Sequence, residues 1–228
     1  MELLRQLELL PETVELACAE RAPHKITTWV RELAAAFQIQ SIPTVLMIVD
    51  LQQAIDDRRW GPRNNPGAEA NIAALLGAWR AARMPVVHIR HDSIERGSPY
   101  RPDRPGNAFK PEAMPAPGET VVAKETNSAF IGTALEAELD RHGATDLVIA
   151  GVLTSNSLEA TARHGGDLGY RVFVPADACF AVDRRDLTGR LWPAEDVHQL
   201  ALANMHGEYA EVTTTERVIA ALKLVGKR

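Results

Sequence analysis

From residue 43 onward the chain alternates between two hydrophobic patterns. Short continuous apolar runs, clearest at Thr44–Val49 and Asp146–Gly151, are followed by segments whose apolar positions recur every three or four residues. The runs have the length of strands buried on both faces, and the segments have the period of amphipathic helices. Strands are predicted at Thr44–Val49, Pro85–Arg90, Thr120–Ala123, Asp146–Gly151, Tyr170–Val174 and Glu211–Thr213. Helices are predicted at Glu69–Ala82, Thr133–His142, Ser155–Leu168, Ala194–Met205 and Glu216–Leu224. Gly143 and Gly169 stand where two of these helices should close. Strand followed by helix, repeated, predicts an α/β fold: a parallel sheet with helices on both faces. Residues 97–118 interrupt the alternation with six prolines and three glycines. So long an irregular excursion is usually functional.

Ahead of this lies a different pattern. Leu3, Leu4, Leu7, Leu10, Val14 and Cys18, then Ile26, Trp29, Val30, Leu33, Ala34 and Phe37, recur at helical steps around a break at Pro23. Residues 1–41 are therefore expected to be a helical extension, and 42–228 one domain. With 30 acidic and 25 basic residues in 228 the net charge is −5. No global field draws a polyanion, which argues against nucleic acid and acidic membranes as partners. No apolar run approaches the ~20 residues of a membrane span. The Met-Glu-Leu-Leu start lacks a basic and then apolar leader pattern, so no secretory signal is expected. Two cysteines, Cys18 and Cys179, cannot build a disulfide framework and suit a reducing cytoplasm, the expected location.

Three polar residues fall where such a sheet binds ligands, beyond the carboxyl ends of its strands. Asp50 closes the first strand, Lys124 the third, and Ser157 lies on the turn after Gly151. A carboxylate beside an ammonium and a hydroxyl can relay protons. A serine at a helix N-terminus also gains backbone donors that favour an anion. The spacing alone equally allows a capping aspartate, a solvated lysine and a first-turn serine. His88 and His91, three apart on a strand, point to opposite faces. No metal site and no cofactor are therefore expected. His88 reads as a buried strand histidine, His91 as reaching the cleft mouth, and Cys179 as a packing residue. Trp60, Arg63, Asn64 and Asn65, with Tyr100, Arg101, Asn107 and Phe109 in the excursion, suit a small planar substrate bearing a carboxylate or an amide. They suit a solvated loop and a subunit contact equally well.

Motif by motif, the chain resembles the isochorismatase-like (cysteine hydrolase) superfamily over about residues 43–214. The residues that carry this are Asp50-Leu51-Gln52, Lys124 with Asn127-Ser128-Ala129-Phe130, Gly151 through Thr154 to Ser157, Thr161-Ala162-Arg163, and Asp177-Ala178. The resemblance implies a three-layer sandwich around a six-stranded mostly parallel, Rossmann-like sheet, assembled as a homodimer or homotetramer. It implies a hydrolase of a small molecule, cleaving either an amide or a vinyl ether. Asp50 would be the acid/base and Lys124 its partner. A cis peptide would join Val152 to Leu153 before Thr154, with the N–H groups of Leu153 and Ser157 as oxyanion donors. Gln52 and Phe130 join Trp60, Asn64, Asn65, His91, Tyr100 and Phe109 as expected substrate contacts.

One position departs from the pattern. Six residues after the motif glycine the superfamily's amidases carry a nucleophilic cysteine, and here stands Ser157. A serine hydroxyl is the weaker acid and needs a local base, and His164 is seven residues further along the helix. Three readings stay open: Ser157 as nucleophile, Ser157 as an orienting group in a reaction without a covalent step, and a cysteine replaced by design. The competing class is an inactive homologue kept as a binding or assembly module. Residues 1–38 separately resemble a fragment of the helical anticodon-binding domain of arginyl-tRNA synthetases. That stretch carries six acids and four bases, a poor match for RNA, and is expected to be a docking arm or oligomer contact.

Overall fold

Strand β1 (Thr44–Val49) is buried at every residue because the sheet surrounds it on both sides and helices cover both faces. The computed structural model describes residues 44–225, so the expected N-terminal helices lie outside the described residues. In chain order there follow helix α1 (Ala68–Ala82), β2 (Val86–His91), β3 (Thr120–Lys124) and α2 (Leu135–Arg141). Then come β4 (Asp146–Val152), α3 (Glu159–Asp167) and β5 (Arg171–Pro175). Three two-residue strands are next: β6 (Cys179–Phe180), β7 (Arg184–Arg185) and β8 (Leu191–Trp192). Helix α4 (Ala194–Met205), β9 (Glu211–Thr213) and α5 (Thr215–Val225) finish the chain.

The sheet runs β3-β2-β1-β4-β5-β9 with every pair parallel, and β6 adds a short parallel contact to the end of β4. Strand order reverses at β1, from which the chain winds first toward β3 and then toward β9. A crevice opens at such a reversal, beyond the strand ends.

Alternation along the strands sorts the core into two layers. Leu46, Ile48, Val148 and Ala150 face α1 and α5, meeting Ile72, Leu75, Leu76, Trp79, Val218 and Leu222. Val45, Met47, Val49, Leu147 and Ile149 face the other way, onto Leu135, Leu139, Leu158, Ala162, Leu202 and Met205 of the remaining helices and the turn that precedes α3. The expected three-layer α/β sandwich is the observed one.

Boundaries differ where local chemistry intervenes. The helix expected from Ser155 starts as a widened turn, Thr154–Leu158, and becomes α-helical at Glu159. Leu153 O accepts from both Asn156 N and Leu158 N, and Asn156 lies off the helical region at φ −130°. Strand β2 begins at Val86 because Pro85 has no N–H to give, although its carbonyl still accepts from Leu46. Strands β6, β7 and β8 were not foreseen, since two residues are too few to show a period. Residues 97–118 are irregular apart from single turns at Pro105–Asn107 and Pro111–Ala113.

Candidate active site

Two backbone features bring the site together. At Asp50 the chain leaves β1 with φ 53°, the left-handed region that aspartate tolerates better than most residues. Its N–H donates to Ile89 O, and its own carbonyl accepts from Gln52 N. At Gly151, φ is 127°, and a Cβ there would stand 2.2 Å from Val49 O. Only glycine lets the end of β4 come this close to the end of β1, which carries the Ser157 turn toward Asp50.

Lys124, the last residue of β3, crosses beneath this rim. Its ammonium donates to Asp50 Oδ2 at 2.8 Å, to Ser157 Oγ at 3.1 Å and to Thr126 O at 3.0 Å. All three protons are thereby used. Asp50, Lys124 and Ser157 are 4%, 2% and 6% exposed, so the ion pair is shielded from water. An ammonium survives burial only with such a complement of acceptors. Asp50 Oδ1 is buried too, and nothing among the described residues bonds to it.

His91 ends β2 in register with Lys124. Its ring meets Tyr100 edge-on at 5.6 Å, and Tyr100 meets Trp60 edge-on at 6.1 Å. His91 Nδ1 is buried without a partner among the described residues. Burial holds the imidazole pKa below its usual value, helped by Lys124 and opposed by Asp50, Asp92 and Glu95. Burial pushes the Tyr100 hydroxyl well above its usual range, and the charges of Asp50 and Asp56 push the same way.

The peptide bond between Val152 and Leu153 is cis. Thr154 Oγ1 pairs with His198 Nδ1 at 2.8 Å, and His198 Nε2 faces Asn65 Nδ2 at 3.3 Å. His198 is 1% exposed, and desolvation keeps its pKa below normal. The sequence reading overlooked it, because a histidine in a helix gives no local sign of such a partner.

Several expected substrate contacts are occupied elsewhere. Gln52 gives its amide protons to His91 O and Asn107 O and accepts from His91 N, which pins the excursion to β2. Asn64 bridges Glu195 and Ala181 N, and Asn65 donates to the carbonyls of Ala176 and Cys179. Trp60 donates its indole N–H to Ala54 O. Phe109 packs edge-on against buried His88, and Phe130 lies against His164 and Tyr170. His164 pairs with Ser128 rather than Ser157. Arg63 is engaged by Glu69 and lies over the Phe180 ring, and Arg101 is engaged by Asp103. Cys179 is fully buried, and burial lifts its thiol to about 12, the behaviour of a packing residue. Among the described residues no cluster of three histidine, cysteine or acidic side chains is arranged to hold a metal ion. A surface cleft of about 580 Å³ between residues 53–59 and 96–106 includes no member of the Asp50–Lys124–Ser157 group.

The isochorismatase domain matches residues 44–217. The isochorismatase family protein YrdC of Bacillus subtilis (strain 168) is 38% identical over 174 residues, covering 76% of this chain and 93% of its own. A crystal structure of an isochorismatase-family protein from Chromobacterium violaceum ATCC 12472 superposes with a TM-score of 0.77 at 55% identity, over 80% of this chain and 94% of that one. Ureidoacrylate amidohydrolase RutB of Pseudomonas syringae pv. syringae (strain B728a) is 26% identical over 219 residues, covering 81% and 85% of the two chains. The chain belongs to the isochorismatase family and is a hydrolase of that family. No helix among the described residues is long and apolar enough to cross a membrane.

Proposed function

We propose that this protein hydrolyses a small amide through an acyl-serine intermediate. One observation carries the reading: a single buried ammonium holds Asp50 Oδ2 and Ser157 Oγ together while Asp50 Oδ1 has no partner among the described residues. The similarity to an amidohydrolase supports an amide over a vinyl ether.

The steps follow from these groups. Asp50 takes the hydroxyl proton as Ser157 Oγ attacks the amide carbon, and Lys124 stabilises the charge that builds on Oγ. The C=O bond opens to an oxyanion, received by the backbone N–H groups of Leu153 and Ser157; removing one such donor typically costs about 3 kcal/mol of barrier. Collapse breaks the C–N bond, and the Asp50 carboxyl returns its proton to the departing nitrogen. Water then attacks the ester carbon, giving one proton to Asp50, and the C–Oγ bond breaks as Asp50 passes that proton to Ser157 Oγ, leaving the free acid. The thiol that the superfamily's amidases use is replaced by a hydroxyl, so the base has more to do here than it has beside a cysteine.

A panel of small primary amides, assayed with the wild type, Asp50→Asn and Ser157→Ala, tests this. Loss of turnover in both variants, with a serine adduct seen by mass spectrometry in the wild type, is the expected result. Turnover kept in Ser157→Ala but lost in Asp50→Asn would replace the acyl-serine with direct attack by water. No turnover of any amide or vinyl ether would leave the binding-module reading.

A further inference from the structure

The turn that carries Ser157 is held from two sides, and only one of them belongs to the reacting group. On the near side Lys124 donates to Ser157 Oγ. On the far side Thr154 Oγ1 lies 2.8 Å from Nδ1 of His198, a residue of α4 that is 44 positions along the chain. Little inside the turn fixes it. No side chain caps it, Leu153 O is shared by Asn156 N and Leu158 N, and Asn156 departs from the helical region. The local pattern favours a helix from Ser155, so the observed shape depends on contacts from outside.

Asn65 decides where His198 carries its proton. Its two amide protons go to Ala176 O and Cys179 O, which also fixes the way the amide faces, since its oxygen would repel both carbonyls. The same nitrogen stands 3.3 Å from His198 Nε2. A proton on Nε2 would therefore meet a donor and no acceptor, in a side chain withdrawn from water. Burial keeps the ring neutral, outweighing the Glu195 carboxylate, which is engaged by Asn64 and Gln199. The single ring proton is thus on Nδ1 and is donated to Thr154 Oγ1. Asn65 also reaches the strand beside β4, because Cys179, whose carbonyl it holds, is in register with Gly151. Loop, helix and turn are braced by one chain of contacts, Asn65 to His198 to Thr154, that touches none of the reacting atoms.

We infer that His198 is a positioning residue for the hydrolysis: by donating from Nδ1 to Thr154 it holds the Thr154–Leu158 turn so that Ser157 Oγ and the Leu153 and Ser157 N–H groups face one substrate carbonyl. This rests on the acyl-serine reading and deepens it. Reacting groups misplaced by about 1 Å cost on the order of 10²-fold in rate, so a brace behind the turn matters although it never meets the substrate.

Kinetics of His198→Leu, His198→Asn and Thr154→Val on a small primary amide that the wild type turns over give the first test. His198→Leu should lower kcat per folded molecule by about 10–10²-fold with KM within about twofold of the wild type, since no substrate contact is removed. His198→Asn, whose amide N–H can stand where Nδ1 stands, should recover part of the loss. Thr154→Val keeps the histidine and serves should the His198 variants unfold; it should show the same fall, and joining it to His198→Leu should lower kcat no further. Unchanged kcat per folded molecule in His198→Leu and Thr154→Val, or losses that multiply in the double variant, overturns the inference. The second test needs no substrate: nitrogen NMR of the wild-type imidazole should show a neutral ring protonated at Nδ1, and a proton on Nε2 overturns the inference. A proton on Nδ1 without turnover of any amide would sink the acyl-serine reading and leave the brace standing. Turnover with Nε2 protonated would sink the inference alone.

Discussion

Two buried carboxylates sit at opposite ends of the same sheet and are treated in opposite ways. Asp146 opens β4 at the amino end, and its two oxygens accept from the Arg171 guanidinium at 2.7 and 2.5 Å. Asp50 stands past the carboxyl end of β1, where one oxygen accepts from Lys124 and the other has no partner among the described residues. The first carboxylate is 0% exposed and the second 4%, so burial does not separate them. Satisfaction does. A fully paired buried ion couples two strands and has no capacity left for a ligand, whereas a half-paired one keeps an acceptor available in a place water reaches poorly.

That contrast can be broken by exchanging what each end loses. Asp50→Asn should lower amide turnover by about 10²–10⁴-fold, and should also lower the denaturation midpoint by leaving the buried Lys124 ammonium without its counter-charge. A large stability loss with turnover intact would make Asp50 a second Asp146. Asp146→Ala should cost about 1–3 kcal/mol in urea unfolding by removing two charge-assisted hydrogen bonds between β4 and β5, with kcat per folded molecule unchanged. If the rate per folded molecule falls as far as in Asp50→Asn, the two ends are not independent.

A third carboxylate gives the contrast a pH dependence. Burial raises the pKa of Glu119, but the Arg80 guanidinium, the Ala116 N–H and the His88 ring outweigh it and bring the carboxyl to about 2. A folded pKa below the unfolded 4.5 means that the stabilisation is complete above pH 4.5 and is lost as pH falls through about 2. Urea midpoints taken down this range should fall in the wild type and fall less in Glu119→Gln, a difference on the order of 2 kcal/mol. His88, whose pKa burial lowers, gives a further loss in the same direction as pH falls below its ordinary value of 6.5. The smallest effect expected is none: Cys179 should resist iodoacetamide in the folded protein and react only after unfolding, because burial holds its thiol near 12. Rapid labelling of native Cys179 would show that this part of the core opens far more readily than its packing implies.

Much of the fold was legible because each strand carries its own evidence. The unbroken apolar runs at β1 and β4 admit only strands covered on both sides, and repeated strand–helix alternation admits little but a parallel sheet. Asp50, Lys124 and Ser157 were legible for the same reason, since each lies at or just beyond the carboxyl end of a strand. Gln52, Asn64 and Asn65 were not. Their amides bond to groups 39 to 133 residues away, and a polar residue next to a catalytic candidate looks the same whether it faces a ligand or braces a loop.

The sequence by itself determined the layers, the strand ends on which chemistry can occur, and the family, because periodicity and motif spacing are properties of adjacent residues. The tertiary structure alone decided which of Asp50's oxygens lacks a partner among the described residues, that His198 supports Thr154, and that Arg63 and Arg101 are already neutralised. Those are matters of which groups meet after distant segments have packed, and hydrogen bonds are satisfied across space rather than along the chain.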